Sequence, residues 1–114
     1  MGRDEAEAAM EPGIVMRVHR VRSEMVVAAC DAELIDRQLP VGPTGRTVKV
    51  TAHFYGERRV GRDELLFHLR RATIVNLLGE RVCRLAEEEG LLAEGATGTL
   101  GGVPHAEIVS VPEA

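Results

Sequence analysis

The sequence is poor in aromatic residues, with no tryptophan, one tyrosine and two phenylalanines among its 114 residues. This scarcity argues against a broad platform on which successive nucleic-acid bases stack. The sequence also lacks an apolar run approaching the roughly 20 residues that a membrane span requires. Its N-terminus has neither the basic start nor the apolar stretch of a secretory signal. We therefore expect a cytoplasmic protein without a membrane partner.

Cysteine is rare as well, and the two that occur, Cys30 and Cys83, do not form a C-x-x-C pair. In the absence of an export signal, two free and buried thiols are expected rather than a disulfide. The histidines share no metal-ligand spacing, and neither His-x-His nor Glu-x-x-His occurs. We expect no metal ion and no cofactor. The four histidines are His19, His53, His68 and His105.

Lysine and side-chain amides are scarce in a chain that is otherwise rich in charge. Lys49 is the single lysine among 14 basic residues, and Gln38 and Asn76 are the single glutamine and asparagine. Few amides combined with many ion-pairing groups suggest a thermophilic source, although lysine poverty does not follow that trend. The net charge is −4, and the segment 1–13 contains four acids but one base. We expect residues 1–13 to be a flexible acidic extension and residues 14–114 to form one domain.

An antiparallel hairpin is predicted at the start of this domain. Ile14–Val21 alternates loosely between apolar and polar residues, residues 22–24 are polar, and residues 25–30 are continuously apolar. This pattern predicts a turn between two strands, the second of which is buried on both faces. Asp31 follows the second strand, and its carboxylate is expected to cap a short helical turn that ends at Ile35.

The rest of the chain predicts two more strands and a long helical segment. Residues 47–55 alternate, which predicts a strand with His53 and Tyr55 on one face. Residues 61–90 carry leucines at helical spacing, so we expect either two helices that meet at Gly79 or one helix with a close contact there. A glycine-rich turn then precedes a final strand. These elements predict an α+β fold with a small mixed or antiparallel sheet of about four strands, packed against a long helical segment in the C-terminal half.

Four short motifs occur in an order that is similar to one known family. They are VVAACD (residues 26–31) with ELI (33–35), HFYG (53–56), AT (72–73) with NL (76–77) and GER (79–81), and GGVPHA (101–106). With these motifs the chain resembles an archaeal family of uncharacterised proteins catalogued as domain of unknown function 424. It departs from that family at Glu57 and Glu107, where glycine and glutamine are usual. The resemblance implies a cytosolic archaeal protein without an established activity, in a family sometimes grouped with RNA-associated or translation proteins.

The glycine-rich turn is the first candidate site. Gly101 and Gly102 permit close backbone approach and Pro104 stiffens the exit, so the turn could hold His105 beside exposed N–H groups that bind phosphate. A tight structural turn is the alternative. Asn76 is the second candidate, because asparagine is a poor helix former unless its amide binds a neighbouring turn or a ligand.

Polar and basic residues in the middle of the chain form two further candidates. His53 and Tyr55 could stack a base on one strand face, and a plain solvent-exposed face is the alternative. Arginine suits bidentate phosphate contacts, so the densest basic stretch could bind RNA; ion pairs with Asp63, Glu64 or Glu80 are the alternative. That stretch contains Arg58, Arg59 and Arg62, with Arg70 and Arg71 further along.

Three functions remain open from the sequence. An RNA-associated role in translation or ribosome biology is favoured by the resemblance, the arginines and the polar strand face, but opposed by the weakly acidic charge. A non-catalytic protein-interaction subunit of a larger complex is the alternative. A small enzyme with a site near His105 is less favoured, because no nucleophile–base pair or cofactor motif is present and Cys30 follows an apolar run. We therefore lean towards a protein that is not an enzyme, with structured RNA, a ribonucleoprotein or another protein as its partner.

Overall fold

The computed structural model describes residues 13–93 and 95–110, so Gly13 alone represents the predicted N-terminal extension. Eight strands and three helices follow one another along this part of the chain. They are β1 (Ile14–Val21), β2 (Glu24–Asp31), β3 (Gln38–Val41), β4 (Arg46–Lys49), α1 (Ala52–Tyr55), β5 (Arg59–Val60), α2 (Arg62–Arg71), β6 (Ile74–Leu78), α3 (Glu80–Glu88), β7 (Gly98–Leu100) and β8 (Val103–Val109). A 3₁₀ turn, Ala32–Leu34, lies between β2 and β3. No helix in these described ranges is long and apolar enough to cross a membrane.

Six of the strands form one mixed sheet. Their order is β5-β1-β2-β6-β8-β7, with β2 and β6 parallel and all other neighbours antiparallel. Strands β3 and β4 form a separate antiparallel pair. The predicted α+β class is therefore confirmed, but the expected four strands are too few. The edge strands β5 and β7 were missed because runs of two or three residues carry no detectable alternation.

Strand β2 separates two apolar layers. Val27 and Ala29 point to the layer that contains the buried side chains of α2 and α3, while Ala28 and Cys30 point to a second layer. This second layer lies under the 3₁₀ turn, the β3–β4 pair and α1. These four side chains are fully buried, and β2 pairs with β1 along its whole length. The prediction of a hairpin whose second strand is buried on both faces is confirmed.

The helix predicted over residues 61–90 is wrong in its middle, where β6 runs through the centre of the sheet. The apolar run of β6 is compatible with either a helix or a strand. The strand buries Leu77 and Leu78 in opposite layers, which uses both faces of the run. Thr73 fixes the entry into this strand, because its N–H donates to the Met25 carbonyl at 2.9 Å and its hydroxyl accepts from the Met25 N–H at 2.8 Å.

The strand predicted over residues 47–55 is shorter than expected. Strand β4 ends at Lys49, and the Thr51 side chain accepts a hydrogen bond from the Phe54 N–H at 3.3 Å, which caps α1. This local cap satisfies a backbone N–H that a continuing strand would have to pair elsewhere. His53 and Tyr55 therefore lie on a helix. Tyr55 is buried in the second layer, whereas His53 is exposed.

Candidate nucleic-acid interface

The β3–β4 pair, with its loop and flanking residues, forms a two-stranded ribbon; we call residues 37–50 the basic ribbon. Leu39 is buried and anchors the ribbon in the second layer, opposite Val48, which is 44% exposed. All four residues of β4 are exposed. The loop begins and ends with Gly42 and Gly45, whose φ angles of 71° and 82° suit glycine at a tight reversal. The ribbon is thus held through one side of β3 while β4 faces solvent.

The ribbon rests on the turn between β7 and β8. Gly101 and Gly102 form this two-residue turn with φ angles of 58° and 80°, the left-handed pair that joins antiparallel strands tightly. A Cβ on Gly101 would lie 2.8 Å from the Leu39 Cβ and 2.9 Å from the Pro40 carbonyl oxygen. Nothing lies within 4 Å of the corresponding position on Gly102. The ribbon can therefore pack against this turn only if residue 101 is glycine. This packing role corresponds to the tight structural turn that the sequence analysis gave as the alternative to a phosphate site.

The ribbon carries positive charge without compensating acids. Arg37, Arg46 and Lys49 are all exposed, and residues 37–56 contain no aspartate or glutamate, although the chain has 18 acids. Within residues 13–93 and 95–110, no ion pair involves any of these three side chains. Their charges are therefore available to an external anion.

The arginine-rich stretch identified in the sequence is largely engaged in ion pairs. Arg58 donates to both carboxylate oxygens of Glu64, at 3.2 and 2.5 Å, and this bond lowers the pKa of Glu64. Glu89 accepts from Arg62 and, at 3.0 Å, from Arg70. Two acids thus neutralise most of this cluster, as the ion-pair alternative predicted, although Glu89 was not among the acids expected.

Arg59 and Arg71 complete the stretch. Arg59 is exposed on β5, with its aliphatic carbons against Gly13. Arg71 lies at the end of α2, where its guanidinium carbon is 4.8 Å from the centre of the exposed Phe67 ring. Such a contact holds the guanidinium against the aromatic face and leaves its charge at the surface.

His105 and Asn76, the two remaining polar candidates, lie close together on one face of the sheet. His105 is paired with Leu78, and Asn76 is paired with Glu107, so the two candidates are diagonal neighbours on adjacent strands, about 7 Å apart. The expectation that Asn76 lies in a helix is wrong, since it belongs to β6. Tyr55 does not join them at the surface, because it is buried within the second layer.

His53 is exposed on α1, and its backbone carbonyl accepts a hydrogen bond from the Arg17 guanidinium at 3.1 Å. The neighbouring His19 ring is stacked on Phe54, with centroids 5.3 Å apart, and its Nε2 lies 2.7 Å from the Phe54 carbonyl oxygen. These contacts attach α1 to β1. His53 therefore contributes its main chain to packing and has only its side chain free to meet a ligand.

The N-terminus of α3 is filled by a carboxylate from within the chain. Asp31 is 2% exposed, and its two oxygens accept from the Arg81 and Val82 N–H groups, each at 3.0 Å. A Cβ on Gly79, whose φ is 126°, would lie 2.3 Å from the Asp31 Cγ. Helix N-termini attract anions, and here the anion is built in. Because the Asp31 carboxylate already occupies the N-terminus of α3, a phosphate cannot bind at the turn between β6 and α3.

Asp31 was predicted to cap the short helical turn that follows it, but it caps α3 instead. No side-chain bond joins Asp31 to the 3₁₀ turn that follows it. Its carboxylate caps α3 instead, about 50 residues further along, because β2 and β6 are parallel neighbours and their carboxyl ends meet. Burial raises the pKa of Asp31, against the effect of the two N–H donors. Arg81 also bonds Glu33, which links the 3₁₀ turn to α3.

The two cysteines are buried and unpaired, as predicted. Burial raises the pKa of Cys30 to about 12 and that of Cys83 to about 11, so neither thiol ionises readily. The thiolate is the reactive form of cysteine, and these thiols lack the electropositive surroundings that favour it. Among the described residues, no group of three or more histidine, cysteine or acidic side chains could hold a metal ion.

Comparison with known proteins places this chain among relatives of similar sequence and structure. A family model described as "Protein of unknown function (DUF424)" matches residues 19–111. The chain belongs to the DUF424 family. A solved structure described as an uncharacterized conserved protein from Methanopyrus kandleri is similar to it, with 28% identity and a TM-score of 0.77 over 89% of this chain and 94% of the other. No curated protein matches the chain. The resemblance to an archaeal family is confirmed, and no activity comes with it.

Two features of this DUF424 protein were missed in the sequence. One is the basic ribbon, whose signal was the lack of any acid from Arg37 to Gly56, together with the turn residues Gly42 and Gly45. The other is the bond between Asp31 and α3. A single sequence contains no signal for that bond, because it joins residues about 50 positions apart.

Proposed function

We propose that this protein binds structured, double-helical RNA through its basic ribbon. The observation that carries the proposal is the exposure of Arg37, Arg46 and Lys49 on a ribbon without acids or ion pairs among the described residues. Duplex RNA is bound mainly by shape and by contacts to phosphate and ribose across its shallow minor groove, and the exposed arginine and lysine side chains of the ribbon can supply such contacts. The loose grouping of the family with translation proteins favours RNA as the partner and a role in translation or ribosome biology.

The overall charge of −4 does not oppose a local site. At physiological ionic strength the Debye length is about 8 Å, so distant acids are screened from a phosphate on the ribbon. Three phosphate contacts predict a salt slope of about −2.7 in log K against log salt, which corresponds to about 40-fold weaker binding between about 50 and 200 mM salt. Binding should therefore depend on salt concentration.

The test compares two basic clusters by fluorescence anisotropy with a labelled RNA hairpin. The double variant Arg46→Ala/Lys49→Ala removes two charges from the ribbon. The matched control, Arg58→Ala/Arg62→Ala, removes the same charge from the ion-paired cluster. Only the ribbon variant should weaken binding, and its salt slope should fall by about 2, one unit for each lost contact.

Four results would contradict the proposal. Absence of binding at about 50 mM salt, or binding without salt dependence, would remove RNA as a partner. A larger loss in the control variant would place the site on the arginine-rich stretch. Equal affinity for a DNA duplex of the same sequence would contradict RNA specificity. A role in translation further requires nuclease-sensitive co-sedimentation with ribosomal particles.

A further inference from the structure

A cleft with an apolar lining lies where α2, α3 and β8 all end, on the sheet face opposite to the ribbon. Three of its lining side chains, those of Leu69, Val75 and Ala86, are buried in the layer that contains α2 and α3. Leu91 and Ile108 extend this apolar lining and are half-buried. The cleft has a volume of about 160 Å³. We call it the helical cleft.

The helical cleft has the size of a small apolar group. The main chain at the end of α3 is already paired, because the Glu89 N–H donates to the Leu85 carbonyl at 3.0 Å and the Leu91 N–H donates to the Ala86 carbonyl at 2.9 Å. Protein interiors leave few apolar voids larger than a water molecule. An engineered apolar cavity of about 150 Å³ binds benzene. The helical cleft therefore fits an apolar group of about six carbon atoms.

Two polar side chains, those of Arg70 and Ser110, also line the cleft. Both residues are exposed, so they lie at its rim, whereas the buried apolar side chains lie deeper. The fold brings them to the same end of the sheet, because the Ser110 N–H donates at 2.8 Å to the carbonyl of Thr73, three residues after Arg70. A guanidinium and a hydroxyl are both hydrogen-bond donors, so the rim suits a ligand group that accepts hydrogen bonds.

The rim also retains a positive charge. Arg62 and Arg70 share the single carboxylate of Glu89, so one of the two guanidinium charges remains uncompensated within this group. Arg70 donates to Glu89 from one terminal nitrogen, at 3.0 Å, and a guanidinium carries further N–H donors that can bind a second carboxylate. A carboxylate brings one negative charge, which matches the remaining positive charge, whereas a phosphate monoester brings about two.

We propose that the helical cleft binds a small monocarboxylic acid. Its apolar body lies against Leu69, Val75 and Ala86, and its carboxylate accepts hydrogen bonds from Arg70 and Ser110. An apolar pocket with a few polar groups that fix the orientation of the ligand is the usual form of a small-molecule site. The cleft and the ribbon lie on opposite faces of the sheet, so this inference does not rest on the proposed RNA binding.

Phenylacetate, with one benzene ring and one carboxylate, is the probe. Titration into the isotope-labelled full chain, followed by amide chemical shifts, should give a Kd of about 0.1–1 mM. The largest shifts should occur at Val75, Leu91 and Ile108. Phenylacetamide has the same shape without the charge, and it should bind at least about tenfold more weakly because it lacks the charge-assisted hydrogen bond. Acetate, which has no apolar body, should leave these amides unmoved.

Two arginine variants separate the proposed carboxylate contact from a structural role. Arg70→Gln should weaken phenylacetate at least about tenfold and leave the affinity for phenylacetamide unchanged. Arg84→Gln is the matched control, because Arg84 is also exposed and ion-paired, with Glu80 on α3, but does not line the helical cleft. It should change neither affinity. Leu91→Trp would fill the cleft and should abolish the binding of both ligands, while the amide spectrum shows whether the variant is folded.

Absence of shifts at about 10 mM phenylacetate would overturn the proposal. So would shifts confined to residues outside the helical cleft, equal affinities for phenylacetate and phenylacetamide, or binding that Arg70→Gln leaves unchanged. Tighter binding of phenyl phosphate than of phenylacetate would contradict the choice of a carboxylate. A protein that binds RNA but not phenylacetate would lose this inference and keep the proposed function, and the reverse result would refute the proposed function alone.

Discussion

The carboxylate of Asp31 lies where a side chain on residue 79 would have to be. A Cβ built on Gly79 would come within 2.3 to 2.7 Å of three carboxyl atoms of Asp31. The same carboxylate accepts from the Arg81 and Val82 N–H groups at the start of α3. The glycine and the aspartate therefore form one unit that joins the end of β2 to the turn between β6 and α3.

Gly79→Ala should lower the free energy of unfolding by about 2–5 kcal/mol. The methyl group would overlap the Asp31 carboxylate, and φ and ψ of 126° and 154° lie in a region that is nearly exclusive to glycine. Urea unfolding measures the loss. Gly90→Ala is the matched control, since its φ is 76° and nothing lies within 4 Å of its Cβ position, so it should cost only about 1–2 kcal/mol. Equal losses in the two variants would show that the contact with Asp31 is unimportant.

Asp31→Asn should change the pH dependence of stability in the direction opposite to that of an ion-paired surface carboxylate. Burial raises the pKa of Asp31 above its ordinary value of 3.8. The folded protein therefore holds this proton more tightly than the unfolded chain does. The resulting stabilisation is complete below pH 3.8 and is lost as the pH rises through the pKa of the folded state.

Urea unfolding of both proteins across the acidic range isolates this effect. The free energy of unfolding of the wild type, minus that of Asp31→Asn, should decrease as the pH rises through the window above 3.8. Independently of pH, the variant should lose about 1–3 kcal/mol, because asparagine has one acceptor oxygen for two N–H donors. A difference that increases with pH would mean that the folded state holds Asp31 ionised.

Gly101→Ala should destabilise the protein more than Gly102→Ala, by about 1–3 kcal/mol. Both glycines have positive φ, so both variants carry the same kind of backbone cost, of about 1–2 kcal/mol. Only the Gly101 methyl meets the ribbon, at Leu39 and Pro40. Chemical shifts of the ribbon amides should move in Gly101→Ala and stay in place in Gly102→Ala. Indistinguishable variants would mean that the ribbon is not seated on this turn.

Native thiols should resist alkylation. With a pKa of about 12, roughly one Cys30 in ten thousand is ionised at pH 8, and burial restricts access further. Iodoacetamide should therefore modify neither Cys30 nor Cys83 until the protein is unfolded in guanidinium. Ser23→Cys, in the exposed β1–β2 turn, provides a thiol that reacts promptly. Labelling of a native cysteine at a comparable rate would revive the possibility of a nucleophile.

The success and failure of the sequence predictions follow from how far apart the interacting residues are. The β1–β2 hairpin is local: alternation, a polar break and an apolar run all lie between Ile14 and Asp31, and the structure has the same strands. Strand β6 lies between two helices and pairs with β2 and β8. Its apolar residues fit a helix equally well, so the choice depended on partners that no local pattern reveals.

The candidate site also depends on contacts between residues that are far apart in the sequence. Arg58 and Arg62 drew attention because they are close in sequence, yet Glu64 and Glu89 neutralise them across the fold. The ribbon was passed over because its basic residues are spread out from Arg37 to Lys49, and only strand pairing brings Arg37 beside Lys49. Clustering in sequence and clustering in space differ wherever ion pairs or strand registers intervene.

The sequence by itself determined an α+β domain with a doubly buried second strand, two inert thiols and the DUF424 motifs. These depend on local periodicity, on composition and on short runs of residues. Tertiary structure alone decided that Asn76 lies in a strand, that Asp31 caps α3 and that Arg37, Arg46 and Lys49 remain without an ion pair among the described residues. The reason is physical: contacts between distant residues are set by packing and register in three dimensions, and neighbouring residues along the chain do not encode them.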